Sequence, residues 1–174
     1  MSKEIHELAK VLAILLVEQG SYSYIDKISQ TSSKDLALYH VREALRDYHS
    51  LLNRGLKTET TMKLAETINF SELENGILKL KEVEDITQLR EKTSLIAALA
   101  LAEAGRLAIR EKRYLATKVL EYLKSKNLFK EDVNALSKTI EEKRKEISEA
   151  LGISEEDVVE IAKDKNLLQR VRSS

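Results

Sequence analysis

The chain predicts a mainly α fold, a multi-helix bundle with one small inserted β-hairpin element. Three observations carry this. Apolar residues recur at three- and four-residue spacing along most of the 174 residues. Proline is absent and the five glycines stand singly, so little interrupts the helices. That spacing gives way to alternation in one stretch only, about residues 58–84.

Taken in order, Ser2 is positioned to cap a first helix from about Lys3 to Glu18. Ile5, Leu8, Leu12, Leu15 and Leu16 share one face of it, and Gly20 stops it. A short segment, Ser21 to Gln30, carries Tyr22, Tyr24, Ile25 and Ile28. Ser32 with Asp35 has the spacing of a capping box and opens a helix to about Asn53, before Gly55. Its apolar face is Ala37, Val41, Ala44, Tyr48, Leu51 and Leu52.

Between residues 58 and 84 the apolar residues tend to alternate: Met62 and Leu64, Ile68 and Phe70, Leu78 and Leu80. Period two suits a half-buried strand, and Asn75-Gly76 is a dipeptide favoured in two-residue hairpin turns. The competing reading is an irregular loop with one helical turn around Ser71 to Glu74.

Asp85 and Gln88 fit another capping box, ahead of the longest helix, to about Lys126. Its centre, Leu95 to Gly105, is apolar or small almost all round, which predicts burial on several sides; Gly105 marks a kink or a tight crossing. Two further helices are expected, from about Lys130 to Leu151 and from about Glu155 to Arg170. Gly152 separates them and Ser154 with Asp157 caps the second. The expected organisation is a single helical domain over 1–174, with 128–174 as a C-terminal helical extension.

Composition narrows the function. Lys+Arg and Asp+Glu number 29 each, so contact with nucleic acid must come from a local patch. The absence of cysteine removes disulfides, thiolate metal sites and a cysteine nucleophile. The unbroken apolar run Val11–Val17 has seven residues, too few to span a bilayer, and no small-residue cleavage site follows. The expectation is a cytoplasmic protein.

The three histidines are His6, His40 and His49. His40 and Glu43 sit three apart on one helix, but nothing supplies the remaining ligands of a metal site. No nucleophile elbow, zinc-protease or phosphate-loop motif occurs, and runs such as Glu155-Glu156-Asp157 have the form of a solvated helix face. The chain is therefore read as non-enzymatic, with no metal and no cofactor.

The positive signal is arginine. Arg106, Arg110 and Arg113 fall at i, i+4 and i+7, a guanidinium stripe roughly opposite Ala104, Ala108, Leu115 and Val119. Such a stripe suits tracking of backbone phosphates. Arg42, Arg46 and His49 form a shorter one, and side-by-side packing of the two helices would make a basic groove. The alternative is that Glu103, Glu43 and Asp47 hold these arginines in salt bridges. Tyrosines are candidate stacking platforms for single strands, although Tyr48 falls on an apolar face.

The stretch Leu8 to Leu52 combines a Leu/Ala-rich first helix, the segment Tyr22-x-x-Ile25-Asp26-Lys27-Ile28, and an amphipathic second helix. In these features it resembles the start of the small subunit of archaeal type I-A CRISPR interference (Cascade) complexes, over about a quarter of the chain. The resemblance implies a helical, non-catalytic subunit of an antiviral ribonucleoprotein, some members having a small β insertion. Such a subunit helps hold crRNA-paired target or displaced single-stranded DNA, base pairing supplying the sequence specificity. Its partners would be other subunits of the complex and crRNA or single-stranded DNA. The other reading is a protein-interaction or assembly scaffold module that binds no nucleic acid, pairing or self-associating through Leu95 to Ala104 or the last two helices.

Overall fold

The computed structural model describes residues 3–173. Ser2, the expected first cap, lies outside them. Ten helices occur among the described residues: α1 (Lys3–Gln19), α2 (Ser23–Ser29), α3 (Lys34–Arg54), α4 (Glu59–Glu66), α5 (Phe70–Glu82), α6 (Ile86–Ser125), α7 (Val133–Glu142), α8 (Arg144–Leu151), α9 (Glu155–Lys163) and α10 (Lys165–Val171). No strand occurs among the described residues. The chain divides into two compact units, Met1–Ala108 and Ile109–Ser174, where the sequence reading has one domain and an extension from residue 128.

In the first unit α1 is the central element and packs on α3, α4 and α5. Leu8, Ala9 and every residue from Val11 to Leu16 are buried, so this helix is enclosed on all sides and not along one stripe. It ends at Gly20, whose φ of 67° lies in the left-handed region and whose N–H donates to the Leu16 carbonyl at 2.7 Å. The cap of α3 is Ser33, one residue later than expected: its side chain accepts from the Leu36 N–H at 3.2 Å. Ala37, Val41, Ala44, Tyr48 and Leu51 are buried on the predicted face.

The expected β-hairpin over 58–84 is absent; two helices stand there. Thr58 caps α4 by accepting from the Thr61 N–H, and Asn69 caps α5 by accepting from the Glu72 N–H. The residues that suggested alternation include Met62, Phe70 and Leu78, which are all exposed. Burial instead follows Leu73, Gly76 and Leu80, one helical face in which a glycine stands for the missing apolar residue. Asn75-Gly76 is no turn. A Cβ on Gly76 would stand 3.0 Å from the Glu4 carbonyl oxygen and 3.2 Å from Leu8 Cδ1, so glycine here permits a close α1–α5 crossing.

α6 begins after Asp85, as predicted, but the Asp85 carboxylate accepts from the Thr87 N–H at 3.1 Å in place of the expected capping-box pairing with Gln88. Its part in the first unit buries one face, Leu89, Thr93, Ile96, Ala97, Ala100, Ala104 and Leu107. The expected burial on several sides is not found: Ala98, Leu101, Ala102, Gly105 and Ala108 are exposed. Nothing lies within 4 Å of a Cβ on Gly105, so no tight crossing occurs there within the chain.

The second unit has its own core, built from Ala116, Val119, Leu120 and Leu123 of α6 with Leu136, Ile140, Ile147, Val158, Ile161 and Leu168. α6 ends with Asn127 left-handed at φ 58° and the Leu128 N–H on the Leu123 carbonyl at 2.8 Å. Each of the two expected C-terminal helices is divided. The first breaks at Lys143 and the second at Asp164, whose carboxylate caps α10 through the Leu167 N–H at 3.1 Å and pairs with Lys112 at 2.9 Å. Ser154 caps α9 as predicted.

Candidate nucleic-acid interface

The five arginines divide by unit and by partner. In the first unit, Arg46 reaches the Glu43 carboxylate at 3.2 Å while its side chain stays 79% exposed. Arg106 is tied more firmly: its Nε and a terminal nitrogen both donate to Glu103 Oε2, the former at 3.0 Å. Arg42 is exposed and has no hydrogen-bond or ion-pair partner among the described residues. Its neighbour His40 meets the Tyr39 ring edge to face, so His40 and Glu43 are not drawn together as ligands.

In the second unit, Arg110 and Arg113 are exposed, and neither guanidinium has a hydrogen-bond or ion-pair partner among the described residues, although the Arg113 backbone carbonyl accepts from the Thr117 hydroxyl at 3.0 Å. The salt-bridged alternative therefore holds for Arg46 and Arg106 and fails for Arg42, Arg110 and Arg113. Of the residues expected opposite the stripe, Ala104 and Val119 are buried, whereas Ala108 is exposed and Leu115 half-buried.

The surroundings of Arg110 and Arg113 add what sequence reasoning missed. From Ile109 to Lys130 the chain carries seven lysines and arginines against two glutamates, Glu111 and Glu121. Three aromatic rings interleave with these cations. Lys118 Nζ lies 4.9 Å from the centre of the Tyr114 ring, Lys124 Nζ 4.8 Å from that of Phe129, and Lys126 Nζ 6.0 Å from that of Tyr122. The signal was present as a local charge excess interleaved with Tyr114, Tyr122 and Phe129, hidden by the neutral total.

The tyrosines proposed as platforms scatter. Tyr22 is 57% exposed, whereas Tyr48 is fully buried. The Tyr24 hydroxyl donates to the Asp47 carboxylate, and burial together with that bond pushes its pKa up to about 12. Tyr122 donates to Glu146 at 2.9 Å, and that bond raises its pKa. Of the basic C-terminal residues, Arg172 donates to the Glu131 carbonyl and Arg170 to that of Asn166.

Among the described residues no three histidine or acidic side chains converge as metal ligands, and no helix is long and apolar enough to cross a membrane. No family model matches the chain, and no solved structure does. The chain is similar to an uncharacterized protein of Archaeoglobus fulgidus, 45% identical over 101 residues, which span 58% of this chain and 87% of that protein. It belongs to the same family as that archaeal protein.

Proposed function

We propose that this family member is a non-catalytic, cytoplasmic nucleic-acid-binding subunit that holds single-stranded DNA or crRNA-paired target through its backbone, as the resemblance to type I-A CRISPR small subunits implies. The observation that supports this best is the pair Arg110 and Arg113. Both are exposed without an acidic partner among the described residues, inside a segment where cations outnumber carboxylates. An unpaired surface guanidinium gains by replacing bound counterions with a phosphate, and their release makes binding entropically favourable at low salt. Tyr114 and Phe129 add ring faces next to those charges, which suits unpaired bases. Arg42 offers a secondary contact and Arg106 a weaker one, since Glu103 already neutralises it.

The test is the salt dependence of single-strand binding by the wild type and by Arg110→Ala/Arg113→Ala. Each lost phosphate contact should lower the log–log slope by about 0.7, so the double variant should lose about 1.4. Arg106→Ala should change the slope by less. A double variant with the wild-type slope removes this surface from the site, and a wild type that binds no single strand at low salt removes the function. Co-purification of the native chain with RNA and other subunits would identify the expected partners.

A further inference from the structure

Two helices of the first unit bring polar side chains to one small pocket. His6, Ala9 and Lys10 fall at three- and four-residue spacing on α1, and Leu99, Glu103 and Arg106 at i, i+4 and i+7 on α6, so each set lines one side of its helix. Together they line a pocket with about 40 Å³ of open space. A single water needs roughly 10–15 Å³ counted the same way, so the pocket has room for a tetrahedral oxyanion but not for a base or a sugar. Its cations are fixed from behind. The Lys10 ammonium donates to Glu7 Oε1 at 3.0 Å, and the Asn69 N–H holds the other Glu7 oxygen at 2.9 Å. Arg106 gives its Nε and one terminal nitrogen to Glu103 Oε2. Two ammonium hydrogens and the second terminal nitrogen of Arg106 are left unspent. His6 is exposed and has no hydrogen-bond or ion-pair partner among the described residues. One carboxylate oxygen stands among these donors. Glu103 Oε1 has no partner among the described residues, although the side chain is only 16% exposed.

We infer that this pocket binds a phosphate able to carry a proton, either inorganic phosphate or the terminal monoester of a nucleic-acid strand. Donors outnumber acceptors there, so the ligand must be rich in acceptor oxygens, and charge-assisted bonds from Arg106 and Lys10 suit an anion. The lone carboxylate oxygen selects within that class. A phosphate monoester has a second pKa of about 6, so near neutrality it holds or readily regains one P–O–H, which donates to Glu103 Oε1. An internal phosphodiester and a sulfate carry no such proton, and each sets a bare anionic oxygen against the carboxylate. Glu7 and Glu103 offset the two cations, which keeps the affinity low, with a Kd on the order of 1 mM. Arg110 and Arg113 take no part in the pocket. The strand end as a source of the phosphate, though not the pocket itself, rests on the proposed single-strand function.

The test is an NMR titration of the full chain with sodium phosphate at about pH 6.5 and constant ionic strength, followed at backbone amides. Saturable shifts should centre on His6, Lys10, Glu103 and Arg106, and sulfate should bind at least about tenfold more weakly. Arg106→Gln, at an exposed position, should keep the wild-type melting curve and weaken phosphate by about tenfold. Glu103→Gln should take sulfate as readily as phosphate, because an amide can donate to the oxygen that the carboxylate repels. Single strands ending in a phosphate, compared with the same strands ending in hydroxyls, separate the two sources. A preference that Arg106→Gln removes assigns the pocket to strand ends, and equal binding beside a positive phosphate titration assigns it to inorganic phosphate. The inference is overturned by a wild type without saturable shifts at these residues, or one that binds sulfate as tightly as phosphate. An Arg106→Gln variant that binds phosphate like the wild type overturns it too. Phosphate shifts in a chain that binds no strand overturn the single-strand function alone, and strand binding with no phosphate shifts overturns the pocket alone.

Discussion

The two helix-interior glycines should respond to alanine with different signs. Replacing glycine in a helix interior gains about 1 kcal/mol from propensity alone. At Gly105 nothing opposes that gain, since no atom lies within 4 Å of the new methyl. Gly105→Ala, measured dilute so that self-association plays no part, should stabilise the first unit by about 1 kcal/mol. At Gly76 the methyl would meet the Glu4 carbonyl oxygen at 3.0 Å, Glu4 Cβ at 3.1 Å and Leu8 Cδ1 at 3.2 Å. Two of these belong to atoms no rotamer change can move aside, so α1 itself must shift. Overpacking of that kind costs roughly 1–3 kcal/mol, leaving Gly76→Ala between neutral and about 2 kcal/mol destabilising. The two variants should therefore differ by about 1–3 kcal/mol. Because the chain has two cores, the reading should come from hydrogen exchange at α1 and α5 amides, with urea unfolding followed by circular dichroism beside it. If Gly76→Ala stabilises as much as Gly105→Ala, the close α1–α5 crossing is refuted.

Three further outcomes are expected. Glu18 accepts from the Lys57 N–H at 3.0 Å, the Thr58 N–H at 3.2 Å and the Thr61 hydroxyl, so Glu18→Ala should cost roughly 2–4 kcal/mol of first-unit stability. A loss within noise in urea unfolding would refute its role in anchoring α4. The buried Tyr48 hydroxyl has no hydrogen-bond partner among the described residues, and Tyr48→Phe should be neutral or stabilising by up to about 2 kcal/mol. Burial pushes the Tyr48 pKa from 10.0 up to about 12, so the folded state holds this proton more tightly than the unfolded chain. Stability should be intact below pH 10 and fall by about 2–3 kcal/mol between pH 10 and 12, a slope that Tyr48→Phe removes. Bonds from Lys112 and the Leu167 N–H hold Asp164 below its ordinary 3.8, so its contribution is present above that pH and lost as acid protonates it. Asp164→Ala should flatten the acid limb of the second unit's stability and fray α10, seen by pH-dependent circular dichroism.

Local chemistry made many of the helix boundaries legible. Gly20, Gly55, Asp85, Gly152 and Ser154 act where the sequence placed them, because a cap or a left-handed stop depends on residues within one turn. At the start of α3 the spacing pointed to Ser32, and the cap is its neighbour Ser33. The breaks at Lys143 and Asp164 were not legible: Lys143 carries no stop signal, and Asp164 is held partly by Lys112, 52 residues earlier. The same limit applied to the candidate site. Arg106 and Arg110 look alike in the sequence, but one has Glu103 on its Nε and the other has no carboxylate partner among the described residues.

The sequence alone determined the helical class and the absence of thiol chemistry, since these follow from composition and short-range spacing. Tertiary structure decided the rest. Residues 58–84 became helices because Gly76 lets α1 approach and Glu18 holds the start of α4 from 39 residues away in the chain. It also decided which face of α6 is covered and which arginines are left to solvent. Those outcomes depend on which backbone and which carboxylate arrive from elsewhere in the chain, and no pattern within one or two turns of helix records that.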